Sequence, residues 1–427
     1  MNIFIIVGFL IMLYAYNSYK TGFIIFLCYR LFINMNICFD ISGLPLLTLD
    51  MMMQFYFMTL YYVKRDTLAN VDPFPFRKVT FFFIAVDVLS SIFAIGGFGT
   101  AITPALYHIT DLILLLIIWD VLDCTAMQKL IRCLLFVAFI AGVYGIYEKI
   151  IGYNPLALYE IQLGAARAVD WTYLDDARGY RVQSIFIHPI GAGINFAYLS
   201  LLFWIYMKYT NISHIERYII TAILILMLLC CLFANSRGPI IYLICASLVF
   251  INVKRKSTII IVLLLAVLTI LNTSLIVEYK DMLTSIFDVQ NKNEYVGSDY
   301  NMRLRQFEAA LKIFSEYPLL GLGTRGNEYY YDKTVASALL GLESIWIVLM
   351  VQKGIMGIAA FVSYVYDIMK TKLPLYAHRD VCILMIAYIA VNSVTTLPGS
   401  YMFLHFLAIW YIIKKNIYDC EELCGKR

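Results

Sequence analysis

Windows of mainly apolar residues, close to the length of a bilayer-crossing helix, recur along all 427 residues of this chain. They fall at 2–16, 22–39, 44–62, 79–97, 105–123, 131–150, 188–207, 218–235, 239–253, 257–276, 342–364, 380–397 and 400–413. A transmembrane helix needs about 20 such residues, because hydrocarbon offers no water to an exposed backbone. The pattern predicts an all-α polytopic membrane protein, a single integral membrane domain over 1–427, with about 13 transmembrane helices (roughly 12–14, since several windows are short). Composition points the same way: 62% of residues are hydrophobic and 15% charged, against about half and a quarter in soluble domains. The net charge of +4 is spread over many loops and leaves no nucleic-acid footprint. The first segment, Asn2 to Tyr16, has neither a basic leader nor a small-residue cleavage site and reads as a retained span.

Cationic residues in short loops set the expected orientation. Lys64, Arg65, Arg77 and Lys78 share one loop, and Lys129 with Arg132 mark the next. Lys208 and Arg217, Lys254-Arg255-Lys256, Lys370, Lys372 and Arg379, and finally Lys414-Lys415 follow. All fall on one side of the span list, which is then the cytoplasmic side, with the C-terminus inside and the N-terminus outside. Two long segments, 151–187 and 278–341, lie outside as large periplasmic loops. They carry Arg167, Arg178 and Arg181, and Arg303, Arg305 and Arg325, against the charge rule. The short turn Asn235-Ser236-Arg237-Gly238-Pro239 also falls outside. Long loops translocate regardless of charge, and Arg237 alone can snorkel to the interface. The set of arginines points instead to an anionic ligand.

In the second loop, Phe307, Ala310, Leu311 and Phe314 recur at helical spacing. Asn301 can cap this amphipathic helix, Pro318 ends it, and Gly321, Gly323 and Gly326 form a turn-rich exit. The helix is expected to lie in the interface plane with its apolar face down. Arg303 falls on about the face of Phe307 and is placed toward protein or ligand, whereas Arg305 points to water or headgroups. Glu343 enters the membrane with the next span, either as a functional acid or as a carboxylate favoured by a helix N-terminus. His188, at the start of a span, has a site role, or packs, or caps. Several arginines can clamp a diphosphate through bidentate hydrogen bonds, and a carboxylate can take a proton from an attacking hydroxyl. That chemistry needs no metal or cofactor, and no HExxH, His/Cys cluster, Walker or dinucleotide motif is present. Most of the ten cysteines (Cys28, Cys38, Cys133, Cys230, Cys231, Cys245, Cys382) sit in apolar segments as small hydrophobes, and Cys420 with Cys424 stand alone on a short tail.

Four stretches, in order, resemble the O-antigen polymerase and O-antigen ligase superfamily of bacterial inner-membrane enzymes. They are VYGIYEKIIGYNPL (143–156), RVQSIFIHPIGAGINFAYL (181–199), NSRGP (235–239) and RLRQFEAALKIFSEYPLLGLG (303–323). The resemblance covers roughly residues 130–365, and the first 130 residues match only in hydropathy. Ligases of this superfamily carry His-Asn where the span after the large loop begins, with a glycine eleven residues after the His. Glu343-Ser344 stands there in this chain, and Gly354 keeps the spacing, which favours the polymerase branch.

The resemblance implies a helical membrane fold related to the GT-C-type glycosyltransferases of lipid-linked sugars. It implies a metal-independent glycosyltransferase that joins oligosaccharide repeat units carried on undecaprenyl diphosphate at the periplasmic face, in making O-antigen of lipopolysaccharide or another surface polysaccharide. Glu343 would be the general base, Arg237, Arg303 and Arg181 would hold the diphosphates, and Arg305, Arg325 and His188 would contribute to substrate binding. Implied partners are the lipid-linked oligosaccharide, membrane lipids and a chain-length regulator protein. Alternatives are a ligase passing polysaccharide to lipid A core, a lipid-linked oligosaccharide flippase or other transporter, and a membrane scaffold. A transporter carries its ionisable groups near the bilayer midplane of broken spans, whereas these arginines sit at the outer edge.

Overall fold

In hydrocarbon each span must satisfy its own backbone, and this chain does so as helices. The computed structural model describes residues 3–33, 37–39, 47–68, 73–162, 174–175, 179–250, 300–339 and 341–424. Its helices are α1 (Ile3–Asn17), α2 (Tyr19–Tyr29), α3 (Leu49–Leu68), α4 (Arg77–Ile92), α5 (Phe98–Val121), α6 (Cys124–Ile151), α7 (Pro155–Gln162), α8 (Pro189–Tyr209), α9 (His214–Phe233) and α10 (Arg237–Ser247). After these come α11 (Tyr300–Glu316), α12 (Lys333–Ala338), α13 (Ile345–Met369), α14 (Leu375–Val394) and α15 (Met402–Cys424). Two antiparallel ribbons pair Cys38–Phe39 with Leu47–Thr48 and Leu174–Asp175 with Gly179–Tyr180. Six of the described helices, α5, α6, α8, α9, α13 and α14, are long and apolar enough to cross a membrane. The chain is therefore a mostly helical, polytopic membrane protein.

Most expected windows coincide with a helix, and 257–276 lies outside the described residues, as do Lys254-Arg255-Lys256, Arg167 and Arg178. The window 22–39 is a correction: α2 stops at Tyr29. The reason is Arg30, almost fully buried, whose Nε donates to both carboxylate oxygens of Asp50 (2.9 and 3.0 Å) and whose Nη2 donates to Asp111 (2.5 Å). A cation in an apolar setting needs such partners, and the chain turns there to meet them.

One end of the bundle collects the loop charges. Lys20 pairs with Asp123, Arg77 with Asp120 (3.5 Å) and Arg132 with Glu216 (3.0 Å). Lys208 pairs with the fully buried Asp380, which also accepts from Tyr209 (2.8 Å) and Arg379 (3.0 Å). Lys414 donates to the carbonyls of Trp119 and Leu122 (2.5 and 2.8 Å), which ties α15 to the end of α5. These include the residues whose spacing predicted one common side. At the bundle's centre runs α8, nearly all buried, against α6, α9, α10 and α15. Small residues at its start permit close helix approach: a Cβ on Gly193 would stand 2.5 Å from Pro239 and 3.1 Å from Ala234.

A second, separate apolar core lies at the other end. It joins α11, α12 and the first half of α13 through Ala310, Ile313, Leu322, Tyr330, Leu339 and Val351. This cap fixes which side of the amphipathic helix meets protein. Gln306, Ala309, Ala310 and Ile313 are its buried face, while Phe307 and Leu311 are exposed. The helix also begins at Tyr300, so Asn301 lies inside it, and it ends at Glu316 ahead of Pro318. Packing against α13 selected the small residues, because bulky ones would hold the two helices apart.

The glycine run after α11 is more than an exit turn. Helix α13 breaks at Gly354 (φ 60°, ψ −153°), and the segment 318–322 fills the break. Val351 O, which an unbroken helix would offer to Ile355, accepts from Leu322 N (2.8 Å). Ile355 N donates to Pro318 O (2.8 Å), and Met356 N to Leu319 O (3.2 Å). Gly321 is required at the closest point: its φ is +62°, and a Cβ there would stand 2.5 Å from Val351 O. Gly321→Ala is expected to cost at least about 2 kcal/mol, read as a lowered Tm in detergent. Gly341→Ala is the control, because its φ is also positive (+74°) but nothing lies within 4 Å of the added carbon; its cost is expected near about 1 kcal/mol.

Candidate functional site

At the end of the bundle opposite the loop charges, the first long loop reaches the turn between α9 and α10, and the second reaches the neighbouring end of α14. That turn is built for tightness. Asn235 adopts φ +43°, a conformation Asn tolerates better than most residues. Ser236 is the N-cap, Arg237 opens α10, and Pro239 sits in the first turn, where its missing N–H has no intrahelical acceptor in any case. The half-buried Arg237 side chain thus leaves from a helix start, whose free amides and dipole add to its positive field. A Cβ on Gly238 would stand 2.9 Å from Thr395, so α10 begins against the C-terminal end of α14.

Arg181 reaches the same turn from the first loop. Its buried guanidinium donates from Nε to Ala234 O (3.3 Å), three residues before Arg237. The next amide joins in, Val182 N donating to Phe233 O (3.0 Å). Holding this segment is a residue that sequence reasoning passed over, Glu148. It is fully buried at the end of α6, and its carboxylate accepts from Gln183 N (3.0 Å), Ser184 N (2.5 Å) and Tyr180 Oη (2.7 Å). Burial, then the neighbouring carboxylate, raises the Tyr180 phenol well above its usual range, so it donates as a neutral hydroxyl. Ser184 has φ +54°, and Asn154 Nδ2 donates to its carbonyl (2.8 Å). The signal was present as an acid inside the apolar run IYEKII, but its partners lie more than 30 residues away.

From the second loop, Arg303 brings in Glu343. Arg303 Nη2 lies 3.4 Å from Glu343 Oε2 and donates to Val394 O at 3.3 Å. Both side chains are partly exposed, 31% for Arg303 and 29% for Glu343, so the pair is sheltered yet reachable. Val394 and Thr395 are consecutive, hence Arg303 and the start of α10 meet the end of α14 from two directions. Trp346, at the start of α13, donates to Ser393 (2.9 Å) and fixes the helix that follows Glu343 to the same end.

His188 is here as a cap. Its Nδ1 accepts from Ile190 N (3.1 Å) just ahead of α8. Burial, and then the nearby charge of Arg181, lower its pKa to about 4, so it is neutral at pH 7. Arg305 and Arg325 stand apart. Arg305 is exposed and lines a groove of about 540 Å³ with Glu308, Lys312, Thr334 and Ser337. Arg325 pairs with Glu328 through two bonds of 2.8 Å. Among the described residues, no group of three His, Cys, Asp or Glu could hold a metal ion.

His188 generates a pH dependence. Its folded pKa is lowered from 6.5, so protonation favours the unfolded chain, and stability falls as pH drops from 6.5 toward 4. Between pH 7 and 4.5 the loss is expected to be about 2 kcal/mol. Thermal unfolding across that range should show it, and His188→Asn, a cap that does not titrate, should flatten it.

Among protein families, residues 222–362 match the one described as O-antigen ligase. No curated protein matches the chain. The matched stretch contains Arg237, Arg303, Glu343 and the break at Gly354. Residues 222–362 are thus similar to the O-antigen ligase family, which is consistent with the resemblance to the O-antigen polymerase and ligase superfamily.

Proposed function

We propose that this protein is an O-antigen or surface polysaccharide polymerase of the bacterial inner membrane. It would join oligosaccharide repeat units carried on undecaprenyl diphosphate by glycosyl transfer at the periplasmic face. The observation that carries this reading is the Arg303–Glu343 contact at the end of the bundle where the Arg181 segment and the Arg237 turn also meet. Glu343 takes the proton of the acceptor hydroxyl, whose oxygen forms the new bond to the anomeric carbon. The bond from that carbon to the diphosphate oxygen breaks, and the leaving lipid diphosphate keeps the electron pair. Arg237, Arg181 and Arg303 stabilise its charge by charge-assisted hydrogen bonds. A diphosphate competes with Glu343 for Arg303, so donor arrival itself frees the carboxylate. Arg305 and Arg325, outside this convergence, are assigned to the saccharide or to headgroups, and His188 supports Arg181. A chain-length regulator protein is the expected partner.

Glu343-Ser344, where ligases of the superfamily carry His-Asn, supports the polymerase over the ligase. The description of the matching family favours the second reading, transfer of finished polysaccharide to lipid A core. Purified protein given lipid-linked repeat units and a defined core acceptor separates them: polymer growing on undecaprenyl diphosphate supports the first, and capped core the second.

Arg237→Ala is expected to abolish long-chain product, a loss of about 10²-fold or more, at unchanged protein level; normal chain length would remove Arg237 from the diphosphate. Glu343→Gln should lose about 10²–10⁴-fold in turnover while still binding lipid-linked donor. Full turnover in that variant would place the base elsewhere. Turnover is expected to survive EDTA, and a strict divalent-metal requirement would count against the scheme.

A further inference from the structure

Three ionisable side chains that the reaction does not use meet beside the break in α13. Lys353, the last residue before Gly354, is 9% exposed and pairs with Asp87 of α4, itself 1% exposed. Asp87's other carboxylate oxygen lies 2.5 Å from His108 Nδ1 of α5, and Lys353 Nζ lies 3.5 Å from the same ring nitrogen. Phe83 closes the cluster, with Lys353 Nζ 5.0 Å from its ring centroid and His108 edge-on at 4.9 Å. Ionisable groups inside apolar helices are expensive, and a neutral residue of similar size would pack there at lower cost. The position of this cluster shows what it can do. Ahead of the break, with Glu343 just before its start, α13 contributes Ile347, Met350 and Val351 to the cap core and Leu349 to the bundle core; beyond the break its buried residues lie in the bundle core. The cap also carries Arg303 on α11. Two kinds of polar contact cross at the break: the backbone bonds to 318–322 and the Lys353–Asp87–His108 cluster. The backbone bonds join α13 to the loop of its own cap, which Ile95 N, just after α4, also holds through Leu322 O (3.0 Å); the cluster joins α13 itself to α4 and α5 through side chains.

We propose that Lys353, Asp87 and His108 are positioning residues that lock the cap to the bundle at the α13 break, and so set Arg303 and Glu343 over Arg181 and Arg237. None of the three touches the reacting atoms. The proposal rests on the reading of Arg303 and Glu343 given above, and its test has a readout free of substrate.

Hydrogen–deuterium exchange of the full-length protein in detergent, followed at the amides of Leu322, Ile355 and Met356, reads the lock directly. Lys353→Met is expected to raise exchange there at least about tenfold, with α11 interior amides within about twofold of wild type. Turnover should fall at least about tenfold, mainly in kcat, with KM for the lipid-linked donor within about threefold. Lys353→Met leaves Asp87 buried without its cation and can fail to fold. The double variant Asp87→Leu/Lys353→Met removes both charges and keeps the test open: raised exchange with low turnover supports the proposal. Wild-type exchange, or wild-type turnover, in the folded double variant overturns it. Arg237→Ala separates the two readings. It should leave exchange at the break unchanged, so full activity in Arg237→Ala would sink the proposed reaction while raised exchange in the double variant still upheld the lock.

Discussion

The break of α13 at Gly354 is the constraint on which the end of the bundle that carries Arg303 and Glu343 depends. A broken helix in an apolar setting frees carbonyls and amides, and each unsatisfied group there costs several kcal/mol. The segment 318–322 answers three of those groups: Leu322 N donates to Val351 O, Pro318 O accepts from Ile355 N, and Leu319 O accepts from Met356 N. A helix that must be repaired by a particular loop fixes that loop. Because the loop follows α11 directly, the repair also fixes where Arg303 stands relative to Glu343. Gly354, eleven residues after Glu343, thereby acquires a mechanical reason.

Around that joint the site is assembled from segments distant in sequence, each with its own device. Arg237 is held by a tight turn with Asn235 at positive φ and Pro239 in the first helical turn. Arg181 is held by a backbone segment laid onto the buried carboxylate of Glu148. Arg303 is held by packing of small residues, Ala309 and Ala310, against α13. The end of α14 is the common abutment, through Val394 for Arg303 and Thr395 for the start of α10. Rigid placement of this kind lets fixed cations stabilise developing negative charge without reorganising.

Much of this was legible beforehand. Helices follow from apolar windows because hydrocarbon permits little else, and the common end of the bundle follows from Lys and Arg spacing. The partial burial of Arg303 and the exposure of Arg305 followed from helical periodicity. The protein-facing side of α11 did not: it is Gln306, Ala309, Ala310 and Ile313, since close contact with α13 favours alanine over bulk. Neither did the end of α2, because Arg30 finds its carboxylates 20 and 81 residues away. His188 was left between a site role, packing and a cap, and the bond from Ile190 shows the cap.

By itself, then, the sequence determined the helical membrane class, the common end of the described Lys and Arg loops and the likeness of residues 222–362 to the O-antigen ligase family. Tertiary structure alone decided the role of Glu148, which takes shape only once Gln183 and Ser184 fold onto its carboxylate. It also decided that Lys353 meets Asp87 and His108, and that a glycine-rich turn is the plug of a broken helix. The reason is physical: hydropathy, charge and periodicity are local quantities carried by neighbouring residues. A buried carboxylate or a broken helix is satisfied by whichever donor the packing of distant segments delivers.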